Sequence, residues 1–368
     1  MLPPFLQELE EIKKAGLFRA LKKLDPKVLN FCSNDYLGLA QDPRLIEAAT
    51  QAMRRFGAGS GAARLISGNF ALLEELEEAL ARFQGAESTL VFNSGYHANI
   101  GVLPAIAGEG DVIFSDELNH ASLIDGCRLS KAETIIYRHN DLNHLEELLK
   151  KKKNSRSIIV TESVFSMEGD LCPVADLLVL ADRYGALVYL DEAHAVGVFG
   201  ENGEGRVPKG TWYLLVRMGT LGKAFGSYGA FVTGSAVIRD YLINRARSFI
   251  FTTAIPPTAV GASLKALQII QEEPERRAKL WENIEFLKTN LAMEHNGSAI
   301  FSLRVGSPTR TMEISNQLLE KGIYVQGIRP PTVPEGTSRL RLTVTATHTE
   351  GQLKRLIEAL SFYGFTRS

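Results

Sequence analysis

The 368-residue chain has only three cysteines, Cys32, Cys127 and Cys172. They are far apart, odd in number and lack metal-ligand spacing. That excludes a disulfide framework and a cysteine metal site, and leaves reduced thiols of a cytoplasmic protein as the expectation. Excess charge is also missing: the net charge is −1, so no basic field attracts nucleic acid or an anionic membrane. No apolar run approaches the ~20 residues of a membrane helix. Met1–Lys14 is acidic and amphipathic rather than cationic-then-apolar, as an export signal would be. Internal repeats and low-complexity segments are absent too. What is present is ordinary for a soluble globular chain, 45% hydrophobic and 23% charged. Its length exceeds that of a single core, so one large and one smaller domain are expected.

The first forty residues read as an arm, helical through Leu9–Leu21 and leading into Phe31-Cys32-Ser33-Asn34-Asp35-Tyr36-Leu37-Gly38. Short apolar runs then read as buried strands: Thr89–Phe92, Val112–Phe114, Thr134–Tyr137, Ser157–Thr161 and Leu187–Leu190. Helical segments such as Leu142–Lys150 and Val174–Tyr184 separate them. The alternation predicts an α/β fold with a mostly parallel sheet covered on both faces. Beyond about Gly261 the texture changes. A long charged helix over Gln271–Glu294 precedes a strand–helix–strand run and a closing helix from Glu350. The expected division is an arm over residues 1–40, a large domain over 41–270 and a small α+β domain over 271–368. The lysine run Lys150–Lys153 reads as a solvated helix end.

Five segments that follow strands carry residues suited to chemistry. Val188-Tyr189-Leu190-Asp191-Glu192-Ala193-His194 ends an apolar strand in an acid, with a histidine three positions on. Ligands of open parallel sheets bind at strand ends, and a carboxylate there suits a cation. The pyridinium nitrogen of pyridoxal 5′-phosphate (PLP) is such a cation, and its protonation makes the ring an electron sink. An aspartate capping the next turn would leave the same trace. Gly219-Thr220-Leu221-Gly222-Lys223-Ala224-Phe225-Gly226 sets a lysine in an apolar, glycine-flanked turn. Burial lowers a lysine pKa and frees the amine for Schiff-base chemistry. The glycines permit close backbone approach to a ligand, and Thr220 offers a hydroxyl to a phosphate. A nucleotide P-loop does not fit, because position 217, where its first glycine belongs, is Arg. Asn93-Ser94-Gly95-Tyr96-His97-Ala98-Asn99 opens a helix after a strand, as an anion site or a plain N-cap does. His120, within Ser115–Ser122, is a flat ring able to stack on a cofactor, or a structural histidine. Ser166, within Glu162–Asp170, has a hydroxyl to donate.

Singly, these segments have ordinary structural explanations. In order, a phosphate loop, a stacking histidine, a serine loop, Asp-x-x-His and a lysine each follow a strand, as a PLP pocket requires. A nicotinamide dehydrogenase would instead need Gly-x-Gly-x-x-Gly after the first strand, and has none here. Asp191–His194 and Thr220–Gly226 resemble the two signature motifs of the α-oxoamine synthase family of fold-type I PLP enzymes. The resemblance covers nearly the whole chain.

It implies the PLP-dependent transferase fold and a homodimer with interfacial active sites. It also implies an acyltransferase that condenses an amino acid with an acyl thioester and releases CO2. Asn34-Asp35-Tyr36-Leu37-Gly38-Leu39-Ala40 and Ile328-Arg329-Pro330-Pro331-Thr332-Val333-Pro334 point, within the family, to L-alanine and a pimeloyl group on CoA or on an acyl carrier protein. Glycine with acetyl-CoA is the alternative pair. By position, the resemblance gives Lys223 the cofactor aldehyde and the substrate α-proton, and Asp191 the pyridine nitrogen. His194 and Ser166 take the phenolic oxygen, and His120 takes the ring face. Ser94, Gly95, Tyr96 and Thr220 fall at the phosphate, and Thr252 or Thr253 at that of a partner subunit. Arg19, His120 and Thr332 match substrate contacts, and Arg341, or failing it Arg339, matches the grip on the amino-acid carboxylate. The chain departs from the family pattern where a histidine often follows Ser67-Gly68; here Asn69-Phe70-Ala71-Leu72-Leu73 stands. The Leu24–Phe31 and Arg206–Trp212 stretches are short.

Overall fold

The computed structural model describes residues 2–152, 155–210, 214–294 and 297–367. Lys153, closing the lysine run, and Thr211-Trp212, closing the short stretch from Arg206, lie outside the described residues. The chain divides into two compact units. One comprises Met1–Asn34, Met167–Asp170 and Lys279–Ser368, and the other Asp35–Ser166 and Leu171–Ala278. Strand β1 (Leu29–Asn30) opens the first unit. The second holds β2 (Ser88–Phe92), β3 (Val112–Asp116), β4 (Glu133–Tyr137), β5 (Ser157–Glu162), β6 (Leu187–Asp191), β7 (Leu215–Thr220) and β8 (Ala230–Gly234). The first unit resumes with β9 (Ile300–Gly306), β10 (Ile323–Tyr324), β11 (Gln326–Ile328) and β12 (Ser338–Thr343).

The larger unit is built on a seven-stranded sheet in the order β2-β8-β7-β6-β5-β3-β4. Its strands are parallel except β8, which runs antiparallel to both β2 and β7. Each strand but the edge strand β4, most of which is exposed, alternates its side chains between two cores. Ile113 and Tyr189 face one, with Val102, Leu103 and Leu123 from helices Gly95–Ile106 and Ala121–Leu129. Val112, Phe114, Val188 and Leu190 face the other, with Leu145, Leu149, Leu177 and Leu178 from helices Leu142–Lys151 and Val174–Tyr184. Burial on both faces is why these strands read as unbroken apolar runs. The common direction of β2, β3, β5, β6 and β7 delivers their carboxyl ends, and the loops after them, to one edge of the sheet.

Four expectations are corrected. The arm helix is Pro3–Lys14, not Leu9–Leu21; Gly16, at φ +69°, ends it in the left-handed region that favours glycine. The long charged helix runs over Pro274–Asn290 rather than Gln271–Glu294, and Gln271 and Glu272 instead end a separate helix, Pro257–Glu272. Pro274 lacks an N–H and pushes Glu273 out of helical geometry, to φ −118° and ψ 68°. The boundary between units falls at 278/279, inside the second of these helices, rather than at 270/271. Residues 1–34 are also not a separate arm but part of the smaller unit, where β1 pairs in parallel with β10.

The smaller unit carries an antiparallel sheet β11-β12-β9 and helices Pro308–Glu320 and Glu350–Ser361. His348 locks the chain start into it. Its ring stacks on Phe31 at 4.2 Å, and its Nδ1 accepts from the Thr345 N–H at 3.0 Å. That leaves Nε2–H to donate to the Asn30 carbonyl at 3.2 Å. Burial lowers the pKa of His348 from 6.5 to about 4. The unfolded chain therefore binds this proton first as pH falls. The stabilisation is full above pH ~6.5 and is lost as pH drops through ~4, by about 3 kcal/mol at most. A His348→Gln variant should unfold with a visibly flatter pH dependence between 6.5 and 4 than the wild type, as read by chemical denaturation. Equal slopes would show that His348 is not the group responsible.

Candidate active site

Lys223 stands in the turn after β7, with its Nζ 2.8 Å from His194 Nε2. The other ring nitrogen of His194, Nδ1, meets the Tyr36 hydroxyl at 2.6 Å. Gly226 allows this turn to close. It sits at φ +62°, and a Cβ there would fall 2.3 Å from the Ala40 backbone nitrogen. Only glycine lets the lysine turn lie against Leu39–Ala40, three residues from Tyr36. The glycine requirement is therefore set by a neighbouring backbone segment. Gly219 is required for a second packing reason, since a Cβ would strike the Phe231 ring.

Asp191 ends β6 as a buried carboxylate. Its Oδ1 accepts from the Ala193 N–H at 2.9 Å and its Oδ2 from Asn99 Nδ2 at 3.0 Å. Beside it in register on β5 lies Glu162. Burial first, and the Asp191 charge second, push the Glu162 carboxyl well above the usual carboxylate range. Glu162 accepts the His120 backbone N–H at 2.6 Å and is also bonded by the Ser166 backbone. It thereby ties together the loops that carry two expected cofactor contacts. The pKa of His120 is lowered by burial and by the Lys223 charge, against the opposing pull of Asp191 and Asp125.

The segment expected at a phosphate opens helix Gly95–Ile106. The Ser94 side chain caps it, accepting from the His97 N–H at 3.2 Å. The Tyr96 hydroxyl is held by Asp125 at 2.5 Å, so what Gly95 and Tyr96 offer at the helix start is backbone N–H. Thr220 Oγ1 donates to the Gly229 carbonyl and accepts from the Gly222 N–H. Thr252 Oγ1 lies 3.4 Å from Asn93 Nδ2, and the Thr253 carbonyl 2.9 Å from it.

In the smaller unit, Arg19 Nη2 donates to Thr332 Oγ1 at 3.1 Å. The pair lines a hollow of about 660 Å³ shared with Lys22, Tyr324, Gln326 and Arg329. Arg339 and Arg341 lie two apart on β12. Arg339 is fully buried and committed: it pairs with Glu168 and donates to the Thr337 carbonyl at 2.9 Å. Arg341 makes longer bonds, 3.3 and 3.4 Å, to the neutral Asn34 Oδ1.

A carboxylate, an amine and an imidazole at strand ends, with a capped helix start after another strand, are the donor set that an anionic, ring-containing cofactor needs. The chain belongs to the aminotransferase class I and II family, which it matches over residues 26–360. Among its relatives, the 8-amino-7-oxononanoate synthase of Geotalea daltonii is 47% identical, over 98% of this chain and 97% of its own. That of Citrifermentans bemidjiense is 48% identical, over 95% of each. Among solved structures, a serine palmitoyltransferase of S. paucimobilis with PLP and myriocin bound superposes with a TM-score of 0.90. It is 28% identical and covers 99% of this chain and 97% of that one. The 8-amino-7-oxononanoate synthase of Francisella tularensis gives 0.78 at 29% identity, over 92% and 98%.

Sequence reasoning gave no role to Tyr36, Asn99, Ser122 or Glu162. Glu162 had a signal, an acid closing β5 one strand from Asp191. Asn99 had a weaker one, four residues after Gly95 and so one turn further along the helix on the same face.

Proposed function

We propose that this chain binds PLP and joins L-alanine to a pimeloyl thioester, releasing CO2 and free thiol and giving 8-amino-7-oxononanoate for biotin synthesis. The observation that carries the reading is the Lys223–His194 contact at 2.8 Å, beside buried Asp191, in a chain 47% identical over nearly its full length to an enzyme of that name. The donor set fits the cofactor. A buried carboxylate suits a protonated ring nitrogen, an amine suits an aldehyde, and a helix start suits a phosphate. When bound, PLP supplies a sink for the electron pair left on the amino acid's α-carbon. Lys223 takes the α-proton and returns it after CO2 has left. Asp191 would keep the ring nitrogen charged, and His194 and Ser166 would donate to the ring oxygen. His120 would lie on the ring face. Ser94, Gly95, Tyr96 and Thr220 would hold the phosphate, with Thr252 of a second subunit in a cytoplasmic homodimer. Arg19 and Thr332 contact the acyl substrate.

For the alanine carboxylate we assign Arg341. Arg339 would have to abandon Glu168 to take it, whereas the bonds from Arg341 to the neutral Asn34 amide oxygen are long, 3.3 and 3.4 Å, and a carboxylate is the stronger acceptor. Arg341→Lys should raise the KM for alanine about tenfold or more with the fold intact, because lysine cannot grip a carboxylate at two points. An unchanged KM would return the role to Arg339.

The reaction is tested by thiol release from PLP-loaded protein, comparing L-alanine plus pimeloyl-CoA with glycine plus acetyl-CoA. Faster release with the first pair is expected. Faster release with the second would reassign the substrates and keep the mechanism.

A further inference from the structure

His120 is the N-cap of helix Ala121–Leu129: its ring Nδ1 accepts the Ser122 backbone N–H at 3.2 Å. Oxygen side chains usually fill that position. A backbone N–H can only donate, so Nδ1 presents a lone pair. The same nitrogen lies 2.7 Å from Ser122 Oγ. Ser122 Oγ is in turn 2.8 Å from Asn99 Nδ2. The orientation of Asn99 is fixed on both sides. Its Nδ2 faces the Asp191 carboxylate at 3.0 Å, which can only accept, and its Oδ1 takes the Tyr189 hydroxyl at 2.7 Å. Asn99 therefore donates to Ser122, and the Ser122 hydroxyl hydrogen goes to His120 Nδ1. Every donor along the chain has one direction open to it. Asn99, Ser122, Tyr189 and Asp191 are all buried.

We propose that Asn99 and Ser122 are positioning residues that tie Asp191 to His120 through one buried hydrogen-bonded chain and hold the His120 ring neutral, with its proton on Nε2. The groups acting on His120 agree. It caps the positive end of a helix, and Lys223 opposes a second positive charge, while Asp191 and Asp125 pull the other way. Burial decides for the neutral ring. For the cofactor, a consequence that rests on the proposed PLP site, a neutral ring on its face leaves Asp191 unopposed in keeping the ring nitrogen protonated.

The test uses the full-length protein labelled with 15N-histidine, with His120 assigned by its loss in His120→Gln. Long-range proton–nitrogen spectra of the cofactor-free protein should show an Nε2–H tautomer. In Ser122→Ala one donor to Nδ1 is lost, and the titration of His120 should move up by about one pH unit. Ser122→Thr, which keeps a hydroxyl, should restore it. Asn99→Leu should weaken PLP binding about tenfold, the factor for losing one hydrogen bond to a charged group. An Nδ1–H tautomer in the wild type would overturn the proposal. So would an unmoved titration in a Ser122→Ala protein whose thermal melt matches wild type. A wild-type protein that takes up no PLP would count against the proposed function and leave the tautomer result standing.

Discussion

Lys223→Ala should lower the rate of thiol release by at least about a thousandfold while the protein still folds. The size of the effect follows from the reaction. The α-proton of an amino acid is not acidic enough to leave unaided, and the lysine amine is assigned both its removal and its return. His194 has Nδ1 engaged by the Tyr36 hydroxyl, and Glu162 is pushed well above the carboxylate range and is accepting a backbone N–H. The fold should tolerate the change because the Lys223 side chain is only half-buried, so its truncation opens no deep cavity. Turnover and a thermal melt, measured on one preparation, check both halves. Residual activity within tenfold of wild type would remove Lys223 from its role.

The second large effect is on stability. Glu192, between Asp191 and His194, is fully buried and pairs with Arg217 on β7, Nη2 to Oε2 at 2.5 Å and Nε to Oε2 at 2.7 Å. Arg217 spends its remaining donors on the carbonyls of Gln84 at 3.1 Å and Glu204 at 2.7 Å. Arg217→Met leaves a buried carboxylate whose remaining bond is the Arg206 N–H at 2.6 Å. Removing one partner of such a pair costs roughly 3–5 kcal/mol, whereas replacing both with apolar residues costs far less. The single variant should therefore unfold at much lower denaturant than wild type, and Glu192→Leu/Arg217→Met should recover a large part of the loss. A single variant within about 1 kcal/mol of wild type would show that Glu192 is not left as an uncompensated buried charge.

Arg217 also shows how far the sequence could be read. Its position argued against a nucleotide loop, but nothing local announced a partner one strand away. The parallel sheet was legible because its strands are apolar on both faces, and the five site segments were legible because each follows such a strand. β8 was not among the expected strands: Ala230–Gly234 follows a run of glycine and serine, and its antiparallel seat between β2 and β7 comes from tertiary pairing. The order of site residues could be read along the chain, whereas the bonds between them could not. Tyr36 reaches His194 across 158 positions and Asn99 reaches Asp191 across 92, distances that no periodicity or spacing rule spans. The choice between Arg339 and Arg341 was open for the same reason, since Glu168, the partner of Arg339, lies 171 positions away.

The pairing of β1 with β10 bears on how the protein is born. Leu29 and Asn30 leave the ribosome nearly three hundred residues before their partners Ile323 and Tyr324. At about 10 residues per second, β1 waits roughly half a minute for its neighbours. The larger unit has every strand in hand once Gly234 is out, and it can form on the nascent chain while Phe31 and Cys32, buried or half-buried in the finished protein, remain unsheltered. Translation that stalls before residue 324 would thus yield a folded sheet with β1 and Phe31 still exposed, a surface on which a nascent-chain chaperone would find its grip.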